Sequence, residues 1–178
     1  MSKFLVVIAA VFGFAVSAYG AEQVVDCPIK NYKNNIFDSS VLERMSVISI
    51  GKGSEEYPIV LDFYRRTGGG CKKNEFARYR VEGGLPAVES IFFLSLRGRV
   101  NVFAIVSWDI NHRGDGSYGR LYQVRAYQFN DGGVLVENNQ VSEDGSMTGI
   151  DGYVGGGKSR FEYKNVSSVK KYWRRVSR

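Results

Sequence analysis

The sequence predicts a mainly β (α+β) fold: a single antiparallel β-meander sheet or sandwich, with a short N-terminal helix and a C-terminal amphipathic helix. Three observations carry that expectation. First, between Arg99 and Gln140 the chain alternates. Val100, Val102, Ala104, Val106 and Trp108 are interleaved with Asn101, Phe103, Ile105, Ser107 and Asp109, and Leu121 to Phe129 alternates again. Period two sends successive side chains to opposite faces of a strand. Second, the runs are separated by tight-turn chemistry, Arg97-Gly98-Arg99 and Asn130-Asp131-Gly132-Gly133. Connections that short join neighbours as hairpins, not as crossovers. Third, Val166, Val169, Trp173 and Val176 fall on one helical stripe behind Asn165, a ready N-cap.

Taken in order, the chain opens with a basic start, Met1-Ser2-Lys3, and an apolar run from Phe4 to Val16. Ser17-Ala18-Tyr19-Gly20 then places small residues where a signal peptidase cuts, ahead of Ala21, with a cut after Ala18 as the near alternative. Residues 1–20 therefore read as a secretory signal peptide. A buried helix or a membrane anchor is the competing reading, and the run is short for a span. Residues 21–178 read as a single β-rich domain, since 44% hydrophobic and 24% charged residues suit one globular core.

Ala21 to Asn35 is a polar, extended arm carrying Cys27. Asp38 to Met45 reads as a short helix, with Ser40 and Glu43 at capping-box spacing. Ser46 to Ile50 and Tyr57 to Tyr64 read as strands around a Gly51-Lys52-Gly53-Ser54 turn, and Gly68-Gly69-Gly70 as a bend into Cys71. Glu75 to Glu82 alternates before the break at Gly83-Gly84-Leu85-Pro86. The nearly continuous run Ile91 to Leu96 suggests a central strand covered on both faces. Glu143 to Gly157 is polar and glycine-dense and carries no assignment, and Ser159 to Tyr163 reads as strand.

In an exported protein the pair Cys27 and Cys71 is most simply a disulfide. Its loop would be worth about 4 kcal/mol in the chain-entropy picture. A reactive thiol is the alternative, and neither cysteine lies near the only histidine. The formal charge is +6, with Lys170, Lys171, Arg174, Arg175 and Arg178 crowded at the end. Such a balance favours acidic partners or anionic membrane surfaces, and nucleic acid is set aside for want of any nucleic-acid motif.

The chemical motifs are weak. Gly152 to Ser159 matches the phosphate-loop string, but that mechanism needs a buried strand before it and a helix after it. Arg113-Gly114-Asp115 is an adhesion tripeptide, and Asp-Gly turn chemistry explains it as well. Asp109, Asn111, Arg113 and Asp115 have a calcium-like spacing, with a cation where an oxygen ligand belongs and Arg120 where a closing Glu is needed. His112, the only histidine, could form a triad with Asp109 or Asp115 and Ser107 or Ser117, but no nucleophile elbow is present. The expectation is a protein that is not an enzyme, with no catalytic residue, no metal and no cofactor.

The surplus lies in aromatics, at 13% of the chain. Most belong to strands and core. Tyr118, Tyr122, Tyr153 and Trp108 flank polar loops, however, and Tyr with Arg beside glycine is the composition of a protein-binding surface. In layout the chain resembles the periplasmic inhibitor and immunity proteins of bacteria, signal-bearing β-rich domains that block a cell-wall or lipid hydrolase or a delivered toxin. Gly149-Ile150-Asp151-Gly152-Tyr153 is similar to the small-residue-plus-Tyr loops with which some lysozyme inhibitors plug an active site. Phe161-Glu162-Tyr163-Lys164 running into a basic helix is similar to the end of small periplasmic immunity proteins. The resemblance implies a periplasmic protein acting by steric occlusion on a secreted partner. The partner-binding residues are then Arg113, Asp115, Tyr118, Asp151, Tyr153 and Lys158, in the loops Asn111 to Tyr118 and Met147 to Lys158. The alternative is an envelope-associated structural or adhesive protein whose basic helix rests on anionic lipid.

Overall fold

A computed structural model describes residues 23–28 and 35–177. The expected signal peptide, Met1 to Gly20, lies outside the described residues. Two antiparallel sheets dominate. In the first, β1 (Gln23–Val25), β2 (Ile36–Asp38), β3 (Val47–Lys52), β4 (Ile59–Thr67) and β5 (Gly70–Tyr79) take the order β1-β5-β4-β3-β2. The second holds β6 (Pro86–Leu96), β7 (Arg99–His112), β8 (Ser117–Phe129), β10 (Thr148–Val154) and β11 (Gly157–Ser159) in the order β11-β10-β8-β7-β6, and β9 (Leu135–Glu137) also pairs with β8. A four-residue helix, α1 (Asn139–Ser142), follows β9, and the chain closes with α2 (Val166–Val176).

The turns form where the sequence permits their backbone. Arg97 and Gly98 both have positive φ (47° and 78°) between β6 and β7. Two such residues match the twist of a two-residue hairpin. Asn130 closes the β8–β9 turn by accepting from the amides of Gly132 and Val134, each at 3.0 Å.

The sheets and helices stack in three layers. Between the sheets, Ile48, Leu61 and Phe63 meet Val102, Ala104, Val106 and Trp108. On the other side of the second sheet, Phe92, Phe103, Ile105, Val124 and Ala126 pack against Val141, Met147, Phe161, Val169 and Trp173. Every residue of β7 from Asn101 to Trp108 is buried for this reason. Where the chain crosses between sheets, the Trp108 indole donates to the Arg80 carbonyl at 2.8 Å.

Cys27 is joined to Cys71 with their Cα atoms 4.9 Å apart, which ties the N-terminal arm to β5. Such a bond belongs to an oxidising compartment. α2 starts and stops at the residues expected of it, and Asn165 accepts from the Ser168 amide at 3.0 Å as its N-cap.

Three expectations need correction. The helix expected from Asp38 to Met45 does not form: Asp38 ends β2 and the residues after it make a turn. Asp38 accepts from the Ser40 amide at 2.8 Å, and the Ser46 hydroxyl donates to the Ser39 and Glu43 carbonyls at 2.9 and 2.7 Å. These local bonds compete with a helix, and the Glu43 carboxylate takes Arg65 at 2.7 Å instead of a cap position. The run Ile91 to Leu96 is covered on both faces, but β6 lies at a sheet edge, and the interior strands of that sheet are β7, β8 and β10. Coverage above and below makes the apolar run, whatever the strand's lateral place. The strand expected at Ser159 to Tyr163 ends at Ser159. The Phe161 ring leaves the ladder to stack on Tyr122 at 5.6 Å, in space that a side chain at Gly149 would fill.

The unassigned stretch from Glu143 to Gly157 holds a 3-10 turn (Gly145–Met147) and β10. Asp144 fastens that turn to α2. It accepts from the Ser146 amide at 2.8 Å and from the Tyr172 hydroxyl at 2.6 Å. Burial pushes the Asp144 carboxyl up, but those hydrogen bonds outweigh it and hold the carboxyl below its ordinary value of 3.8. A depressed carboxyl contributes stability that is complete above the unfolded value and lost as the pH falls through the folded one. The stability gap between wild type and Asp144→Asn, followed by chemical denaturation from pH 7 downward, should therefore close below pH 3.8. A gap that persists unchanged at the acid end would rule out this coupling.

Candidate functional site

β7 and β8 are joined through a 3-10 turn, Arg113–Asp115, and β10 and β11 through Gly155-Gly156. The register places Tyr153 opposite Tyr118, Gly152 opposite Gly119 and Asp151 opposite Arg120. Two loops far apart in sequence thus lie side by side at one end of the second sheet. The Gly156 amide donates to the Gly116 carbonyl at 3.0 Å, and the Gly155 amide to the Ser117 hydroxyl at 3.3 Å.

Glycine makes this approach feasible. Gly119 (φ 132°) and Gly152 (φ 155°) face each other across the ladder. A Cβ on Gly152 would run into the Tyr118 carbonyl oxygen, and one on Gly119 into that of Asp151. Only glycine combines that φ with that proximity.

The result is a short column of flat groups. The Tyr118 and Tyr153 rings stack at 4.7 Å, and the Arg113 guanidinium lies 4.7 Å from the Tyr118 ring centroid. The Arg113 Nε also donates to Asn111 at 3.0 Å, which fixes the guanidinium over the ring. Lys158 stands opposite Tyr153 on β11, exposed. Of the six residues expected to bind a partner, Arg113, Tyr118, Tyr153 and Lys158 come together with free surface.

The two acids are engaged within the fold. Asp115 accepts from the Ser117 amide at 2.9 Å and shapes the hairpin. Asp151 takes the Lys164 ammonium at 2.5 Å, and that hydrogen bond holds its carboxyl below the ordinary carboxylate value. Further residues at this end were not singled out from sequence. Val154 is 49% exposed and Leu85 72% exposed. The Leu85 loop is brought alongside by Gly83, which packs against His112. An apolar Leu set between Gly84 and Pro86 was the available signal. Arg120 bridges Asp109 at 2.9 Å and Glu89 at 3.4 Å beside the column.

The candidate triad does not assemble. Ser107 is buried and donates to Glu89 at 2.5 Å, Asp109 holds Arg120, and exposed His112 makes no hydrogen bond to any of them among the described residues. No group of three or more metal-ligating side chains converges among the described residues. The phosphate-loop string is a hairpin, β10 to β11, with strand where a helix would be required.

A second concave feature opens between the sheets, a cleft of about 580 Å³ walled by Tyr57, Phe76, Arg78, Gln123, Arg125 and Glu137. Its charges are matched, with Arg78 on Glu75 at 2.7 Å, Arg80 on Glu82 at 2.7 Å and Arg125 on Glu137 at 3.1 Å. At its floor the Tyr79 and Tyr127 hydroxyls meet at 3.0 Å. Burial keeps both phenols protonated, with that of Tyr127 pushed up to about 12. Gln123 and Arg125, two polar residues on the same face of β8 as inward-facing Leu121 and Tyr127, were its trace in the sequence.

Compared with family models, curated proteins and solved structures, the chain matches none.

Proposed function

We propose that this is an exported periplasmic binding protein that blocks a cognate secreted hydrolase or toxin by steric occlusion, in the manner of immunity and inhibitor proteins. The observation that supports this reading is the Arg113–Tyr118–Tyr153 column at the end of two paired hairpins. Tyr and Arg are the side chains that most often dominate binding energy, because each buries a large rigid surface and keeps a polar handle. Beyond them the β10–β11 turn is bare backbone at Gly155 and Gly156, narrow enough to enter a cleft. The disulfide agrees with an oxidising, exported setting.

The test is capture from the secreting cell and its neighbours, with the oxidised chain from Ala21 onward as bait. Recovery of one secreted hydrolase, inhibited on binding, is the expected result. Tyr153→Ala should then weaken affinity by at least tenfold while leaving the thermal unfolding curve in place, because the ring is 37% exposed and only stacks on Tyr118. Unchanged affinity would remove the tip from the interface.

A further inference from the structure

The net charge of the chain is confined to its end. Between residues 158 and 178 the eight cations Lys158, Arg160, Lys164, Lys170, Lys171, Arg174, Arg175 and Arg178 stand against a single acid, Glu162, a local excess of +7 that outweighs the +6 of the whole chain. α2 presents this charge outward. Its apolar side, Val169 and Trp173, is buried against the second sheet, while Lys171, Arg174 and Arg175 are exposed. The three are spaced i, i+3 and i+4, where like charges repel. Among the described residues none of them has an ion pair, unlike Arg65, Arg78, Arg80, Arg120 and Arg125 elsewhere on the molecule. The helix C-terminus offsets part of that repulsion. Beside them runs a groove of about 490 Å³ whose walls add Tyr163, Tyr172, Ser168 and Glu162. The Arg175 guanidinium lies 5.8 Å from the Tyr172 ring, and Tyr172 is pinned to Asp144.

We propose that this face of α2 docks the protein on an anionic phospholipid surface, with lipid phosphates entering the groove between Lys171, Arg174 and Arg175. Two features select a membrane over an acidic protein. Lys171, Arg174 and Arg175 stand exposed and without ion pairs among the described residues, an open patch of one sign that suits the many like charges of a lipid surface. The tyrosines that flank the groove have the apolar-body, polar-tip character suited to the headgroup layer. Because the apolar stripe is already committed to the core, the helix lies on the surface without inserting, and attraction is electrostatic. Each cation near such a surface is worth roughly fivefold in affinity, and salt screens it.

The test uses the oxidised chain from Ala21 onward and vesicles of phosphatidylcholine with or without phosphatidylglycerol, read by co-sedimentation. The expected result is binding to the anionic vesicles only, weakened by sodium chloride. The combined variant Lys171→Gln, Arg174→Gln, Arg175→Gln should bind roughly a hundredfold more weakly, with an unchanged circular dichroism spectrum, and Tyr153→Ala should bind as wild type. Equal binding to neutral vesicles, or full binding by the triple variant, overturns the proposal. So does displacement by inorganic phosphate beyond that by chloride of equal ionic strength, which would mark a small-anion site. Retention on poly-L-glutamate without vesicle binding also overturns it, in favour of an acidic polypeptide. None of these outcomes bears on the hairpin tip.

Discussion

Trp173→Ala should lower the unfolding free energy by about 3–5 kcal/mol, the cost of emptying a large aromatic site in a packed core. Trp173 is 1% exposed, its indole N–H lies 3.3 Å from the Met147 sulfur, and Tyr172 meets its ring edge-on at 5.4 Å. It fills the space between α2, the 3-10 turn and the outer face of the second sheet. An 11-residue helix has little stability in isolation, so losing this anchor should also undock α2. Urea denaturation followed by far-ultraviolet circular dichroism would show a lower midpoint, and amide exchange would show early opening of Val166 to Val176. A loss below about 1 kcal/mol, far under the range for such truncations, would mean that the helix is held by something else.

Replacing both cysteines, Cys27→Ser with Cys71→Ser, should cost about 4 kcal/mol by the loop-entropy relation for a sequence separation of 44. The bond holds β1 against β5, where, among the described residues, three pairs close the ladder, Gln23 to Lys73, Val24 to Lys72 and Val25 to Cys71. Without it that short edge strand should fray first. Protease cleavage within residues 23–28, or loss of amide protection at Val24 and Val25, would report the fraying. The hairpin tip is built from the other sheet, so partner affinity of the surviving folded fraction should stay within a factor of two, well under the tenfold assigned to a tip anchor. A variant as stable as wild type would show that the arm is fastened by its ladder alone.

Much of this architecture could be read from the chain because its rules are local. Alternation marked β7 and β8, Asn130 and Gly98 marked their turns, and the stripe through Val169 and Trp173 with Asn165 before it marked α2 at both ends. The failures came where distant contacts decide. Ser39 and Ser46 close a turn on each other, hydroxyl to hydroxyl at 2.7 Å, and defeat a capping pattern that is valid in isolation. Phe161 abandons its strand because Gly149, on another strand, leaves it a site. The inter-sheet cleft stayed hidden because the sequence does not say which face of β8 meets the other sheet. Both loops of the tip could be chosen separately from Tyr, Arg and glycine. The stacking of Tyr118 on Tyr153 could not, since it depends on a register between strands with β9 and α1 between them.

The strand order carries a kinetic meaning. β3, β4 and β5 are consecutive and pair in sequence, as do β6, β7 and β8. Each trio closes only short loops, so its ordering entropy is small and its pairing can be fast. The two meanders are therefore expected to fold as units, and their docking through Ile48, Leu61 and the inner face of β7 should be the slower, longer-range event. β1 has to return across β2, β3 and β4 to reach β5. Cys27, just beyond β1, can meet Cys71 only once that strand is in place, so oxidation should come late and seal a topology that hairpins have already chosen.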